Sequence, residues 1–587
     1  MPRVTKWTSR ASFRAPMRFP LSFATLAPFL LLGCSSGGGT PNADKCADGT
    51  GGCADDAGPI PGSDAAGDGA PVDSGPKPSG AGCTVAKKGT AGLVLQGTLL
   101  LPDAPLLGEL MIDTTGKIAC VDKSCTATAG YDAATVLSCP DAVISPGLIN
   151  AHDHTEYDTT GPISHATTRW QHRNGWRTGA AGEPALPTKP KSTTDAKTIG
   201  AAELRFVMGG ATSVIGSGGV SGMLRNLAAF KNPEQLEGAT GPTVFFDTFP
   251  LGDASGVELT SGCAYPKPRP ASTAFGGGGG YAPHVSEGIN AAAENEFACI
   301  STSLALLTGQ TAMIHSVGLN AKDVDAVAKA NAKVIWSART NIDLYGNTAP
   351  VTELKNAGVT IALGTDWHAS GSMNMLRELH CVDALNQKYF AKAFSDRELW
   401  LMATKNAAVA AKFDGQIGEL KVGLLADIAV FTGATRDYRA VLEAGVEDVR
   451  LVLRGGKPLY GDFDTVDAVQ AGCARLDNVC GGTKAVCVDV PAVTLSDLQA
   501  VAASIYPLWF CKTETPKDEP SCVPYRDTYP NGTSATDRDG DGIDDGADDC
   551  PDVFNPTRPM DGAAQSDVDG DKAGDACDVA PLDPAKK

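Results

Sequence analysis

Two histidines, His152 and His154, stand two apart at the end of the run Ser145-Pro146-Gly147-Leu148-Ile149-Asn150-Ala151. On a strand that spacing puts both imidazoles on one face and turns Asp153 to the other. Paired imidazoles suit a transition metal, and the C-terminal end of a barrel strand is where such a fold places its chemistry. Alone, the pair also fits two surface or core histidines. A second set of residue types lies in the tail. Asp537, Asp539, Asp541, Asp545 and Asp548 take positions one, three, five, nine and twelve of a loop with Gly542 at six, and Asp567, Asp569, Asp571, Asp575 and Asp578 repeat the spacing with Lys572 at six. Oxygen ligands so spaced suit Ca²⁺. No helix-forming sequence flanks either loop, so an EF-hand pair is not expected. His172, Arg173 and Arg177 fall in a long loop after the first histidine pair, where substrate-binding groups often sit, and the two arginines are the candidates there. The run Gly276–Gly280 lacks the lysine of a phosphate loop and reads as punctuation.

The elements that must hold these residues follow from periodicity. Short apolar runs such as Thr212-Ser213-Val214-Ile215, Thr243-Val244-Phe245-Phe246, Lys333-Val334-Ile335-Trp336 and Val359-Thr360-Ile361-Ala362-Leu363 alternate with helical patterns over residues 143–415. This predicts an α/β fold, a parallel (β/α)8 barrel. Strand-like runs before it, in 83–142, and after it, in 416–470, predict a small composite β-sandwich assembled from both flanks. Residues 471–535 are Cys-rich and name no function, and 536–587 form the acidic, Ca²⁺-binding tail.

Several stretches resemble, in order, the motifs of the amidohydrolase superfamily. Pro146 to His154 is similar to its first-strand motif, His284-Val285-Ser286-Glu287 to a fifth-strand HxxE, Ala312-Met313-Ile314-His315 to the sixth-strand histidine, and Gly364-Thr365-Asp366 to the eighth-strand aspartate. Ala403-Thr404-Lys405-Asn406-Ala407 and Ile417-Gly418-Glu419-Leu420-Lys421-Val422-Gly423 resemble its C-terminal signature. The nearest branch is the cytosine-deaminase and chlorohydrolase-like group, and no fourth-strand lysine suggests a bridge between two metals. The resemblance implies one divalent transition metal, Zn²⁺ or Fe²⁺, on His152, His154, His284 and Asp366. It implies Asp366 as the proton shuttle, His315 orienting the nucleophile and stabilising the oxyanion, and Glu287 protonating or hydrogen-bonding the substrate. The implied reaction is hydrolysis at a non-peptide carbon–nitrogen bond of a small molecule, by deamination or cyclic-amide opening; chloride or an acyl amide as leaving group stays open. His368, two residues past Asp366, is placed at the pocket mouth. The tail resembles a thrombospondin type 3 repeat, which implies a Cys550–Cys577 staple.

The N-terminus carries Arg3, Lys6, Arg10, Arg14 and Arg18 before the apolar run Leu21–Leu32, and ends in Leu31-Leu32-Gly33-Cys34. Residues 1–33 read as an export signal too short and interrupted to span a membrane. The cleavage sequence resembles a bacterial lipobox, which implies lipidation of Cys34 and an envelope protein anchored to a membrane, with Ser35 favouring the outer one. Residues 34–82 are a Gly, Pro, Ala, Ser and Asp tether. The remaining sixteen cysteines include none at zinc-ribbon spacing, which favours disulfides in an oxidising compartment without fixing their partners. Residues 537–587 hold fifteen Asp against five Lys or Arg, about half of the net charge of −19. That acidity excludes nucleic acid as a partner. The competing expectation is a surface lipoprotein whose Ca²⁺ module binds a partner while its barrel is inactive. Nothing in the sequence fixes the oligomeric state.

Overall fold

The computed structural model describes residues 82–229 and 232–587. The export signal, Cys34 and the tether up to residue 81, with Cys46 and Cys53, lie outside the described residues.

Eight parallel strands carry the site: β1 (Leu148–His154), β2 (Ala211–Ser217), β3 (Arg225–Asn226), β4 (Phe245–Asp247), β5 (Tyr281–Val285), β6 (Ala312–His315), β7 (Lys333–Trp336) and β8 (Thr360–Leu363). Apart from the half-buried Phe245 and Phe246 of β4, their apolar runs are buried on both faces, as parallel strands require. The ladders form two arcs in sequence order, β1 to β3 and β4 to β8. Between the arcs, Val244 N donates to Leu227 O at 2.8 Å on one side and Asp366 N to His152 O at 2.9 Å on the other. The second bond sets the end of β8 against the end of β1.

Strands from the two flanks join one hydrogen-bonded sheet rather than two. Ile428–Thr432 pairs antiparallel with the end of Thr135–Pro146, which also pairs with Leu93–Leu100. Ten strands join in this way. Leu95, Ile144, Val430 and Leu451 pack together on it. The Cys-rich segment is not a separate region: its hairpin, Ala474–Val479 and Gly482–Val486, extends the same sheet. The described residues fall within a single compact unit, with no break in packing at 470 or 535. All fourteen described cysteines are paired, as Cys83–Cys139, Cys120–Cys125, Cys263–Cys299, Cys381–Cys522, Cys473–Cys487, Cys480–Cys511 and Cys550–Cys577. Among the described residues no helix is long and apolar enough to cross a membrane.

Candidate metal and active site

The strand ends bring four expected ligand groups together from across more than 200 residues of sequence. His152 Nε2 lies 3.4 Å from His154 Nε2 and 3.1 Å from His284 Nε2, and the latter two are 3.3 Å apart. Asp366 Oδ1 stands 3.4 Å from His152 Nε2 and 3.7 Å from His154 Nε2. A tetrahedral ion with bonds of about 2.1 Å spaces its ligands about 3.4 Å apart, so the set fits one such ion. As the period-two argument requires, Asp153 turns away; it accepts from Asn150 Nδ2 at 2.9 Å and Thr365 Oγ1 at 2.7 Å.

The far nitrogen of each imidazole is also held. His152 Nδ1 meets Ser337 Oγ at 2.8 Å, His154 Nδ1 meets Ser217 Oγ at 2.9 Å, and His284 Nδ1 faces the Asp247 carbonyl at 3.2 Å. A carbonyl only accepts, so His284 carries its proton on Nδ1 and presents a lone pair inward. Burial, reinforced by the neighbouring imidazoles, holds His152 and His284 well below the usual histidine range, and burial with His315 nearby takes His154 to about 3. All three are therefore neutral, the form that binds metal. Asp366 is pushed well above the carboxylate range by burial and by Glu287, the repulsion a cation between them reverses.

Two groups stand one layer further out. His315 Nε2 faces Glu287 Oε2 at 3.6 Å and Asp366 Oδ2 at 3.9 Å. Both are acceptors, so His315 serves as a donor there. Its Nδ1 meets the Asn341 side-chain amide at 3.0 Å, and the Asn341 Nδ2 has no other partner. Turning that amide to donate to Nδ1 leaves the proton on Nε2 of a neutral ring. His315 also offers a nitrogen within 4.8 Å of those of His152 and His284. Glu287 accepts from Tyr345 Oη at 2.7 Å, which itself accepts from Trp176 Nε1 at 2.9 Å. Ser286, His315 and Asp366 all have left-handed backbones, with φ of 54°, 69° and 59°. Such conformations cost about 1–3 kcal/mol each and concentrate at functional sites.

A cavity of about 360 Å³ opens over this cluster and reaches Glu156, Trp176, Arg177, Phe249 and Trp367. Arg173 and Arg177 both line it, but from the short helix Arg173–Thr178 rather than from an open loop, and Arg173 is largely engaged elsewhere. Its guanidinium lies 2.7 Å from Asp253 and 3.3 Å from Glu296, with Glu287 at 3.8 Å. Arg177 sits over the Phe249 ring at 4.3 Å and donates to Asn174 and the Ala254 carbonyl. His368 does not line the cavity, contrary to the reading from its place after Asp366. Asp158 holds its Nδ1 at 3.0 Å and its ring packs against Tyr506, because the chain turns away at Trp367. Sequence reasoning missed Tyr345, Trp176, Ser337 and Ser217, which lie in no motif.

In the tail the two loops gather Asp537, Asp539 and Asp541, and Asp567, Asp569 and Asp571, each set within 4.8 Å. Asp539 Oδ2, Asp548 Oδ2, Asp569 Oδ2, Asp571 Oδ2 and Asp578 Oδ2 are buried without a partner. Burial, with Asp541 and Asp548 beside it, pushes the Asp539 carboxyl up to about 8. These orphaned oxygens fit a hard cation. Asp545 and Asp575 stand apart from both clusters: Arg538 takes the first and Ser566 with the Val568 amide takes the second, so they brace their loops.

The segment bearing His284, Glu287, His315 and Asp366 matches the amidohydrolase family, over residues 272–459. Two curated relatives, 5-methylthioadenosine/S-adenosylhomocysteine deaminases of Thermoanaerobacter pseudethanolicus and Teredinibacter turnerae, are 32% identical over 123 residues and 36% over 129. These matches cover 20% and 21% of this chain and only 28% and 29% of the relatives' own length. A crystal structure of a triazine hydrolase variant superimposes with a TM-score of 0.50 at 17% identity, covering 71% of this chain and 99% of that one. That likeness is one of fold. His152 and His154 lie outside the family match, so their assignment rests on the convergence described above.

Proposed function

We propose that the protein is a metal-dependent hydrolase that attacks a non-peptide carbon–nitrogen bond of a small molecule, by deaminating a heterocycle or opening a cyclic amide. The observation that carries this is the convergence of three neutral imidazoles and one carboxylate at tetrahedral spacing beneath a cavity. The eight strands are read as one barrel whose C-terminal face holds that cavity. The fourth strand has no lysine, and its Phe246 packs against the rings of His152, His154 and His284 at 5.2–5.9 Å, which favours one metal. The deaminase names of the curated relatives support the reaction class.

His152, His154, His284 and Asp366 would hold a divalent ion, whose chemistry would be to acidify water at neutral pH. Asp366 takes the proton of the attacking water and returns it to the leaving nitrogen. His315 Nε2–H points to where the oxyanion grows. Glu287, fixed by Tyr345, hydrogen-bonds or protonates a substrate nitrogen and makes the neighbouring carbon more electrophilic. Trp176 and Trp367, with ring centroids 5.2 Å apart, form an aromatic wall suited to a flat ring. The test is metal analysis together with a turnover screen of nucleobases, cyclic amides and N-acyl compounds. One transition metal per chain and turnover lost with it are expected; two tightly bound metals on a modified lysine would remove the single-metal assignment.

The tail is proposed to bind Ca²⁺ through Asp537, Asp539, Asp541 and Asp548, and through Asp567, Asp569, Asp571 and Asp578. The chain is proposed to be an envelope lipoprotein anchored through Cys34. Mass spectrometry of the mature N-terminus checks the anchor, and an unmodified Cys34 or cleavage elsewhere overturns it.

A further inference from the structure

The acidic tail is far from the site in sequence but not in space. Tyr345, which donates to Glu287, is the last residue of the helix Ala338–Tyr345, and Gly346 follows it with a left-handed φ of 69°. Residues 525–529 cross this helix end as a strap. Arg526 Nη1 donates to the Tyr345 carbonyl at 2.7 Å and to the Trp170 carbonyl at 3.1 Å, and Tyr529 Oη donates to the Gly346 carbonyl at 3.3 Å. The approach is close enough to need glycine, since a Cβ at Gly346 would lie 2.1 Å from Tyr525 O. The strap in turn lies against the first acidic loop, where a Cβ at Gly542 would lie 2.4 Å from Thr528 O. Further along, Arg558 donates to Leu319 O at 2.8 Å and Met560 N to Ile289 O at 3.2 Å. Those carbonyls belong to the segments that follow His315 and Glu287. One stretch of chain thus touches the supports of both residues.

We propose that Tyr345 is a positioning residue for Glu287, and that Ca²⁺ in the loop Asp537–Asp548 holds it there through the strap of Arg526 and Tyr529. Asp539 is 1% exposed with an Oδ2 that has no partner, and Asp541 is 2% exposed, so the loop holds buried carboxylates aimed at one another. Without a cation the buried Asp539 Oδ2 and Asp548 Oδ2 have no partner and the loop loosens. The strap then loses its backing, and Tyr345 can leave Glu287. The sequence alone suggests the opposite, a tail that acts independently of the barrel.

The catalytic consequence rests on the proposed role of Glu287, but the coupling itself does not, and the two are tested apart. Hydrogen exchange is measured on the full chain, dialysed free of Ca²⁺ and then titrated with CaCl₂, with the transition-metal content checked at each step. At ten times the dissociation constant, Ca²⁺ is expected to slow exchange about tenfold in 525–548, 341–346 and 286–290. D539N/D541N is expected to lose all three effects. Should that variant fail to fold, Arg526→Gln keeps the Ca²⁺ loop and is expected to retain protection in 537–548 while losing it in 341–346. With any substrate that turns over, kcat of the wild type rises with Ca²⁺, whereas Tyr345→Phe has a kcat roughly tenfold lower that no longer responds, at an unchanged KM. Protection confined to 537–548, or no Ca²⁺ response at millimolar concentration, overturns the coupling whether or not the protein proves to be a hydrolase. Absence of turnover with the exchange effects intact defeats the hydrolase reading alone.

Discussion

Replacing Ser337 by Ala should weaken transition-metal binding more than replacing Ser217 does, and the structure gives the reason. Each serine holds the outer nitrogen of a ligand histidine, Ser337 on His152 at 2.8 Å and Ser217 on His154 at 2.9 Å. When His152 coordinates through Nε2, its proton is on Nδ1 and must donate. Ser337 and His152 are both 0% exposed, so no water replaces the lost hydroxyl. An unpaired buried N–H costs about 1–3 kcal/mol, or roughly 5- to 150-fold. The metal-free state escapes that cost, because His152 can move its proton to Nε2 and donate to His284 at 3.1 Å. The loss therefore falls on affinity, near the tenfold to hundredfold typical of such partners. Side-chain capping is not lost as well, since Ser337 caps no amide of the helix Ala338–Tyr345. The His154 side chain is 11% exposed, so water can take over from Ser217 and the loss there should be under about tenfold. Competition for Zn²⁺ against a chromophoric chelator measures both variants. An equal or larger loss in Ser217→Ala would refute the argument from burial.

Glu287→Gln should lower kcat about 10²- to 10⁴-fold while metal content stays at the wild-type level, because the carboxylate is outside the ligand set; loss of metal would place it inside. His172 lies 3.3 Å from Glu258 and 3.2 Å from Glu296, and although burial opposes its charge, those partners push it up to about 9. A raised folded value stabilises fully below the unfolded value of 6.5 and is lost as pH climbs through about 9, so up to ~3 kcal/mol should disappear across that window. Melting temperatures at both ends should converge in His172→Asn, and an undiminished pH dependence there would assign it to other groups. Removing the Cys550–Cys577 link with paired serines frees a loop whose closure is worth about 3–4 kcal/mol. Calorimetry of the full chain should then show weaker Ca²⁺ binding, and unchanged affinity would mean the bridge does not organise the acidic loops.

His152, His154 and the strands beneath them were legible because they obey short-range rules, whereas His284 and Asp366 came only from the resemblance to the amidohydrolase motifs. His152 and His154 share a face by strand period, and β4, β7 and β8 appear as apolar runs flanked by polar residues. Contacts made by loops were not legible. Nothing in the order Asp366-Trp367-His368 shows that the chain turns His368 toward Asp158, and no pattern announces that Tyr345 reaches Glu287. Arg173 lines the cavity, but its anchoring to Asp253 and Glu296 depends on segments 80 and 123 residues away. The docking of the tail was invisible for a related reason. It uses backbone carbonyls of Tyr345, Gly346, Ile289 and Leu319, and a carbonyl has no sequence signature.

A hydrogen-bonded histidine cluster is the alternative to the proposed metal, and counting donors favours the metal. His284 offers one inward lone pair, because the Asp247 carbonyl fixes its proton outward. His152 at 3.1 Å and His154 at 3.3 Å both point to that lone pair, which accepts one of them. The other could turn to Asp366, but the distances of 3.4 and 3.7 Å exceed a normal N–H···O bond. One ring therefore lacks a partner inside the cluster, and Asp366 stands beside it against its own desolvation. A cation at the centre satisfies all four groups together and removes the repulsion that raises Asp366. Two of those groups come from a pattern as short as three residues and two from strands far along the chain. A chance cluster has no reason to bring their outer nitrogens to Ser337, Ser217 and a carbonyl as well. The outward partners aim the imidazoles at one point, which supports the proposed single-ion site.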